Sequence, residues 1–313
     1  MVYDLIIIGG GPAGVAAAVY AARKRLSTLF VTAEWGGQSV VSEQIYNWIG
    51  TPTISGPELA ENLKRHTLLN SKDGNPNSTL EVKEGDKVTA LSKDGANFKI
   101  KTEMNQEFST RSVLIASGSS RRKLTVPGAD RLEHKGLTYC ASCDGPLFAD
   151  MDVVVVGGGN AGFESAAQLL SYCKSVTLLN RSDVFRADEI TVAKVLQNPK
   201  MKAVKNVDIL EVKGEKFVDS IVYKDRTTGT EVTLPVSGIF VEIGGIPNTD
   251  FAKDVIALDE FGMVKIDPRN NKTETPGIWA AGDCTNILYH QNNIAAGDAV
   301  RALEDIYLYL HTK

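Results

Sequence analysis

The sequence predicts an α/β fold with two Rossmann-like dinucleotide-binding domains, and three observations support this prediction. Near the N-terminus, an apolar strand, a glycine-rich turn and an alanine-rich helix follow one another around residues 3–24. The same order recurs around residues 153–172. Both strands are continuous β-branched runs, which are typical of strands buried on both faces of a parallel sheet. Since a GxGxxG turn between a strand and a helix is a specific context, its repetition predicts two nucleotide sites.

The composition is that of a globular protein with a small negative charge. A chain of 313 residues is long enough for two domains, each with its own core. The formal net charge of −4 gives no reason to expect a nucleic acid or an anionic membrane as partner. No run approaches the roughly 20 apolar residues of a transmembrane helix, and the chain starts without a basic leader region. We therefore expect a cytoplasmic protein.

The first glycine turn lies between a strand at residues 3–8 and a helix at residues 15–24. Gly9 permits the tight turn, Gly11 lets the backbone approach a pyrophosphate, and Gly14 lets the helix pack on the strand. The helix N-terminus then faces the phosphates. The candidate cofactor-binding residues of this turn are Gly9, Gly11, Pro12, Ala13 and Gly14.

The second strand, at residues 29–31, is followed by further candidate cofactor residues. Glu34 stands about where an acid would bind a ribose hydroxyl, and the alternative is an ordinary solvated carboxylate. A flexible polar loop contains Gly37 and Gln38, and a turn-rich segment that includes Asn47 leads toward a helix at 57–69. Residues 71–108 predict a β-meander, and the strand at 113–116 ends at a domain boundary near 117–118.

The chemistry of the chain is indicated by Cys140 and Cys143, two thiols three positions apart. Such a pair closes a disulfide with little backbone movement and exchanges it with another protein. Two alternatives remain open at this point. The pair could be half of a zinc site, which needs further ligands at suitable spacing, or a buried structural disulfide. The other cysteines, Cys173 and Cys284, are isolated in the sequence.

The second glycine turn follows the strand at 153–156 and precedes a helix at 163–172. Its candidate coenzyme-binding residues are Gly157, Gly159, Asn160, Ala161 and Gly162. The next strand, at 176–179, ends in Asn180, Arg181 and Ser182, and Arg186 follows. Arginine at this place favours a 2′-phosphate and therefore NADP over NAD. The alternative is that these arginines are only solvated surface charges.

The C-terminal third returns to the first domain. Residues 208–236 predict strands with a hairpin at 225–229, and we place the return crossing at 244–248. A strand at 277–283 delivers Asp283, whose carboxylate is suited to a sugar hydroxyl. A helix from about residue 294 follows the candidate cofactor residues His290, Gln291 and Asn292. The alternative for His290 and Gln291 is ordinary loop polarity.

These motifs, in this order, resemble the low-molecular-weight thioredoxin reductase family, including the related flavoprotein component of alkyl hydroperoxide reductase. The resemblance covers essentially the whole chain and rests on residues 9–14, 36–38, 140–145, 157–162 and 280–283. It implies a discontinuous FAD-binding domain of residues 1–117 and 246–313. It also implies an inserted NAD(P)H-binding domain of residues 118–245 that carries the dithiol, and a homodimer.

The resemblance further implies a thioredoxin reductase-like flavoenzyme that passes electrons from NADPH through FAD and the dithiol to thioredoxin or a thioredoxin-like protein. In this family pattern Cys143 faces the flavin, Cys140 attacks the partner, and Asp144 is the general acid–base group. The alternative for Asp144 is a turn residue before Gly145. The inserted domain is expected to rotate about hinges near 117–118 and 244–245.

Departures from the family pattern define the alternatives. The family's coenzyme-phosphate motif is His-Arg-Arg, three residues and Arg, whereas this chain has Asn180, Arg181, Ser182 and Arg186. His290 stands where the family commonly has arginine. With no thioredoxin-like extension or cysteine tail in the sequence, we expect electrons to leave to a separate protein. The alternatives are a ferredoxin- or NADH-linked disulfide reductase serving a peroxiredoxin system, and a flavin sensor without turnover.

Overall fold

The computed structural model describes residues 1–42 and 45–312. The chain divides into two compact units, which we call unit 1 (Met1–Ser120 and Ile246–Lys313) and unit 2 (Arg121–Gly245). Two short strands at the junctions, Ser119–Arg121 and Gly245–Pro247, pair with each other. Within the described ranges no helix is both long and apolar enough to cross a membrane.

The elements are numbered along the chain. The strands are β1 (Val2–Gly10), β2 (Thr28–Trp35), β3 (Leu80–Glu84), β4 (Val88–Asp94), β5 (Asn97–Thr102), β6 (Glu107–Ile115), β7 (Ser119–Arg121), β8 (Leu137–Thr138), β9 (Asp152–Val156), β10 (Ser175–Leu179), β11 (Met201–Val204), β12 (Val207–Lys213), β13 (Ser220–Asp225), β14 (Glu231–Pro235), β15 (Gly238–Val241), β16 (Gly245–Pro247) and β17 (Ile278–Ala280). The α-helices are α1 (Pro12–Arg23), α2 (Gly56–Asn70), α3 (Ala129–Leu132), α4 (Ala141–Asp144), α5 (Asn160–Leu169), α6 (Glu189–Leu196) and α7 (Asn292–His311).

Unit 1 is built on a seven-stranded mixed sheet. Its strand order is β3-β2-β1-β6-β5-β4, and β17 pairs with the distal part of β6. The parallel part of the sheet contains β3, β2, β1, β6 and β17. On the other side of β6, its first half pairs antiparallel with β5, and β5 pairs antiparallel with β4. Leu5 and Ile7 point to one core and Ile6 and Ile8 to another, so β1 is covered on both faces.

The β-meander predicted for residues 71–108 is wrong in one respect. Instead of starting a meander, β3 pairs in parallel with β2 at the edge of the main sheet. Only β4 and β5 form the antiparallel part, and their partner β6 runs without a break into the predicted strand at 113–116. The physical reason is that a partly exposed edge strand shows the same apolar alternation in either arrangement.

Helices α1, α2 and α7 cover one face of the unit 1 sheet. Helix α1 is rich in alanine, and this lets α7 pack closely along it. The indole of Trp279 is fully buried in this core, and its Nε1 donates to Asp305 of α7 at 2.9 Å. This contact holds the C-terminal half of α7 against β17, and Gly282, two residues after β17, lies beside Ala295 in the first turn of α7.

Unit 2 contains a five-stranded parallel sheet in the order β11-β10-β9-β15-β8 and a three-stranded antiparallel sheet in the order β12-β13-β14. Helix α5 begins at Asn160, three residues before the predicted start, because the extended backbone of Gly159 leads directly into it. Phe163 and Phe240 are fully buried between α5 and the parallel sheet. Strand order reverses between β10 and β15 around β9, and in open α/β sheets ligands bind at such a switch point.

Candidate functional site

The first glycine turn of unit 1 is shaped by three glycines with different tasks. A Cβ at Gly9, where φ is +118°, would overlap the carbonyl oxygen of Ala116, and one at Gly14 would overlap that of Gly9. At Gly11, by contrast, the nearest atom to an added Cβ is 4.0 Å away, in Gly37. Helix α1 starts after Gly11 with no side-chain cap. Its first N–H groups are therefore available to an anion such as a pyrophosphate.

The loops after β2 and β17 meet next to this turn. Gln38 Nε2 donates to Asp283 Oδ2 at 3.0 Å. Asp283 lies in the loop that follows β17, and an added Cβ on its neighbour Gly282 would be 3.4 Å from Ala13. The structure thus brings together three predicted cofactor residues, Ala13, Gln38 and Asp283, from distant parts of the sequence.

The remaining predicted residues of unit 1 lie around the start of α7 or at the start of α1, with one exception. Asn47 Nδ2 donates to Gln291 Oε1 at 3.3 Å, and the Asn292 side chain accepts from Ser39 at 2.9 Å. Pro12 occupies the first turn of α1. The exception is Glu34, whose side chain is exposed at the end of β2.

His290 contacts acceptors with both ring nitrogens. Nδ1 lies 3.4 Å from Asp283 Oδ1, and Nε2 lies 3.0 Å from the carbonyl oxygen of Ile287. Both contacts are satisfied only when both nitrogens carry hydrogen, that is, in the imidazolium form. The hydrogen bond to Asp283 accordingly raises the pKa of His290 despite burial, which acts in the opposite direction. His290 can therefore supply the positive charge that arginine has in the family pattern.

The glycine turn of unit 2 repeats the arrangement of unit 1. Cβ atoms at Gly157 and Gly162 would overlap the backbone of Glu242 and Gly157, whereas Gly159 has no such neighbour within 4 Å. Helix α5 also starts without a side-chain cap. Its first residues are Asn160, which accepts from the Asp188 N–H at 2.8 Å, and Ala161. This turn is equally suited to a pyrophosphate.

The loop after β10 carries the predicted phosphate-binding residues. Asn180 is buried, and its Nδ2 donates to the carbonyl oxygens of Ser182 and Val184 at 2.9 and 2.8 Å. Its amide thus shapes the loop. Arg181 and Arg186 project from it with exposed side chains. Asn180 is therefore buried beneath the loop, whereas the side chains of Arg181 and Arg186 lie on its surface.

Cys140 and Cys143 form a disulfide, with Cα atoms 5.3 Å apart. Both residues are partly exposed, so the bond is not a buried structural one. Cys140 precedes the single turn of α4, and its Sγ accepts from the Cys143 N–H at 3.2 Å. Helix α4 is anchored to α5, because Ser142 donates to Gln168 at 2.9 Å.

Asp144 ends α4 immediately after the disulfide. Thr138, at the end of β8, donates a hydrogen bond to the Asp144 carboxylate. Both residues belong to unit 2 and are at most partly exposed. The hydrogen bond from Thr138 therefore ties the carboxylate that follows the disulfide to the end of β8.

Glu242 is a residue that the sequence interpretation missed. It directly follows β15, adjoins Gly157 at the switch point of the sheet, and accepts from Ser165 of α5 at 2.7 Å. Burial raises the pKa of Glu242 from 4.5 to about 7, while Ser165 and Arg121 only partly offset this effect. The sequence feature that could have identified Glu242 is an acidic residue between two apolar residues at the end of a strand.

We predict that Glu242→Gln changes how stability depends on pH. Because the folded-state pKa lies above the unfolded value, the protonated carboxyl stabilises the fold fully below pH 4.5, and this contribution is lost as the pH rises through 7. Glutamine is neutral throughout and still accepts from Ser165. The stability gain of the variant over the wild type should grow by about 2.5 kcal/mol from pH 5 to pH 8. Denaturant unfolding at both values checks this, and a constant difference would contradict it.

Two uncapped glycine turns at helix N-termini and a partly exposed disulfide define a dinucleotide-dependent oxidoreductase with a redox-active disulfide. The family model described as pyridine nucleotide-disulphide oxidoreductase matches residues 3–299. The chain belongs to this family. The family implies FAD and a pyridine nucleotide, and the open approach to Gly11 and Gly159 fits two such groups.

Solved structures and curated sequences show the same relationship. The chain is similar to thioredoxin reductase from Streptococcus pyogenes, with a TM-score of 0.88, 32% identity and coverage of 100% of this chain and 99% of that one. This match confirms the predicted fold of two Rossmann-like domains and the thioredoxin reductase resemblance.

Among curated relatives, "NADH dehydrogenase" from Bacillus subtilis is 34% identical over 98% of this chain and 58% of its own length. A component of alkyl hydroperoxide reductase from Xanthomonas campestris pv. phaseoli is 36% identical over 96% of this chain and 56% of its own length. The chain thus spans less than two thirds of these curated relatives.

Proposed function

We propose that this protein is an FAD-dependent NADPH:disulfide oxidoreductase that reduces thioredoxin or a thioredoxin-like protein. The observation that carries the proposal is the partly exposed Cys140–Cys143 disulfide, which lies in the same unit as the second dinucleotide turn. A disulfide that is accessible at the surface can exchange with a disulfide of another protein.

We assign FAD to unit 1 and NADPH to unit 2. In unit 1 the network of Gln38, Asp283 and His290 lies beside the first glycine turn and offers groups for a flavin and its ribityl chain. In unit 2 the loop with Arg181 and Arg186 offers cations for a 2′-phosphate. Bound FAD would supply the chemistry that side chains lack, the acceptance of a hydride and its return as two electrons to sulfur.

The two cysteines then have different tasks in disulfide exchange. The Cys140 thiolate attacks the partner disulfide, so that a mixed disulfide forms and one partner sulfur leaves as a thiolate. Cys143 attacks the Cys140 sulfur next, which restores the internal disulfide and releases the second partner sulfur. The N–H of Cys143, 3.2 Å from Cys140 Sγ, supports this order because a backbone donor stabilises a thiolate. Asp144 transfers the protons.

The similar solved structure is a thioredoxin reductase, and this supports a thioredoxin-like partner. From the family resemblance and the sequence we also propose a homodimer that works in the cytoplasm. A peroxiredoxin system is the second candidate, favoured by the relatives named as components of alkyl hydroperoxide reductase. In that case electrons would pass from the same disulfide to a different protein, with NADH as an alternative donor.

Coenzyme choice tests the proposal. A planar guanidinium forms paired hydrogen bonds with a phosphate, and we expect kcat/KM for NADPH to exceed that for NADH by tens to hundreds of times, at roughly 1.5–3 kcal/mol per arginine contact. Arg181→Ala should raise KM for NADPH and leave KM for NADH nearly unchanged. The measurement is steady-state reduction of a panel of thioredoxins, glutaredoxin-like proteins and peroxiredoxins with both coenzymes.

The outcomes of this panel separate the candidates. Equal or better use of NADH by the wild type would overturn the NADPH assignment and favour the NADH-linked alternative. Flavin reduction by neither coenzyme would favour a ferredoxin-type donor. Flavin reduction without transfer to any protein disulfide would favour a sensor.

A further inference from the structure

Three segments of unit 2 meet where β10 ends. The turn between β11 and β12 is tied to the loop after β10, since Asn206 N–H donates to Ser182 O and Val207 N–H donates to Asn180 O, both at 3.1 Å. The hairpin between β13 and β14 joins them, because the Arg226 N–H donates to Asn206 O at 2.7 Å. Arg226 is thus fixed beside a loop that lies more than 40 residues earlier in the sequence.

The side chain of Arg226 is held in the same place. Its Nη1 donates to the carbonyl oxygen of Arg181 at 3.3 Å, and its Nε lies 3.3 Å from Asp208 Oδ2. Arg181 contacts the other oxygen of this carboxylate, with Nε 3.5 Å from Asp208 Oδ1. One acid therefore lies between two guanidinium groups, which leaves the trio with a net charge of +1.

Both guanidinium groups keep donors available for a ligand. The Arg226 side chain is 49% exposed and that of Arg181 is 83% exposed. A guanidinium has five N–H donors, and the contacts above use two of those on Arg226. Ser182, in contrast, turns its hydroxyl into the loop and donates to Val184 O at 2.7 Å. Arg226 can contribute the cation that Ser182 cannot.

We propose that Arg226 is a specificity-determining residue that binds the 2′-phosphate of NADPH together with Arg181, in place of the arginine that the family pattern has at the position of Ser182. This inference rests on the proposed NADPH-dependent function. A 2′-phosphate carries close to two negative charges, and Arg181 shares its own charge with Asp208. The second guanidinium restores the positive charge that the ligand needs. Asp208 is the positioning residue that holds the pair.

The test compares two adenosine ligands that differ only in the 2′-phosphate, adenosine 2′,5′-bisphosphate and adenosine 5′-monophosphate. Their affinities for the flavin-loaded protein are measured by titration calorimetry. Arg226→Ala should weaken binding of the bisphosphate roughly 10- to 100-fold and leave the monophosphate unchanged. Arg226→Lys should retain part of the preference, because lysine keeps the charge without the planar fork.

Lys216→Ala is the matched control. Lys216 is exposed between β12 and β13, at the end of this strand pair opposite to Arg226, and its loss should change neither affinity. Unchanged bisphosphate binding in Arg226→Ala, alongside weaker binding in Arg181→Ala, would overturn the inference and leave the NADPH assignment intact. Equal weakening of both ligands would overturn it too, because the role would then be structural. A wild type that does not prefer the bisphosphate would refute the NADPH assignment itself, and the role of Arg226 with it.

Discussion

Replacing either Cys140 or Cys143 by serine should lower kcat/KM for a thioredoxin substrate by at least about 10³-fold, because each sulfur is needed for a complete exchange. Both thiols belong to unit 2, whereas the residues assigned to FAD belong to unit 1, so FAD should remain bound and reducible by NADPH. Stopped-flow absorbance of the flavin and a coupled thioredoxin assay measure the two steps separately.

The two variants should differ from each other. Cys140→Ser leaves the Cys143 thiolate able to form a long-wavelength charge-transfer band with the flavin. Cys143→Ser leaves Cys140 able to trap the partner as a mixed disulfide. If the band were kept only by Cys143→Ser and trapping occurred only with Cys140→Ser, the two roles would have to be exchanged.

Alanine substitutions at two glycines of the unit 2 glycine turn should have different large effects, one on stability and one on coenzyme binding. Gly162→Ala places a methyl group against the backbone oxygen of Gly157, and we expect a loss of roughly 2 kcal/mol or more in the stability of unit 2. Gly159→Ala has open space and an extended backbone that alanine readily adopts, so its stability should change by less than about 0.5 kcal/mol. The same methyl group should nevertheless weaken NADPH binding on the order of tenfold or more, since it occupies the approach of the pyrophosphate.

Thermal unfolding and coenzyme titration of both variants check this division. A Gly159→Ala protein with unchanged NADPH affinity would show that the coenzyme does not approach this backbone. A Gly162→Ala protein with unchanged unfolding temperature would show that the helix and strand tolerate separation at this point.

The parts of the fold that the sequence predicts correctly are those encoded locally. Strand, glycine turn and helix follow one another within about 20 residues at both nucleotide turns, and β-branched runs identify strands covered on both faces. The place of β3 could not be predicted in the same way. Its alternating pattern fits both an edge strand of a parallel sheet and a strand of a meander, and only pairing with β2 decides between them.

The candidate site shows the same limit. Motifs identify the glycines, the cysteine pair and Arg181, because each lies at a fixed offset from a strand or a turn. Arg226 and Glu242 lie in no motif and reach their positions through the pairing of distant strands. Their contributions depend on burial and on neighbours, such as Asp208 and Ser165, that come from other elements. Local sequence patterns do not contain that information.

The central claim, that electrons pass from NADPH through FAD to the Cys140–Cys143 disulfide, is tested most directly by an anaerobic titration of the flavin-loaded protein with NADPH. The flavin and the disulfide each take two electrons, so full reduction of the wild type should require about two equivalents of NADPH per FAD. The variant with both cysteines replaced by serine should require about one. A wild type that is fully reduced by one equivalent, with its disulfide still intact, would contradict the account.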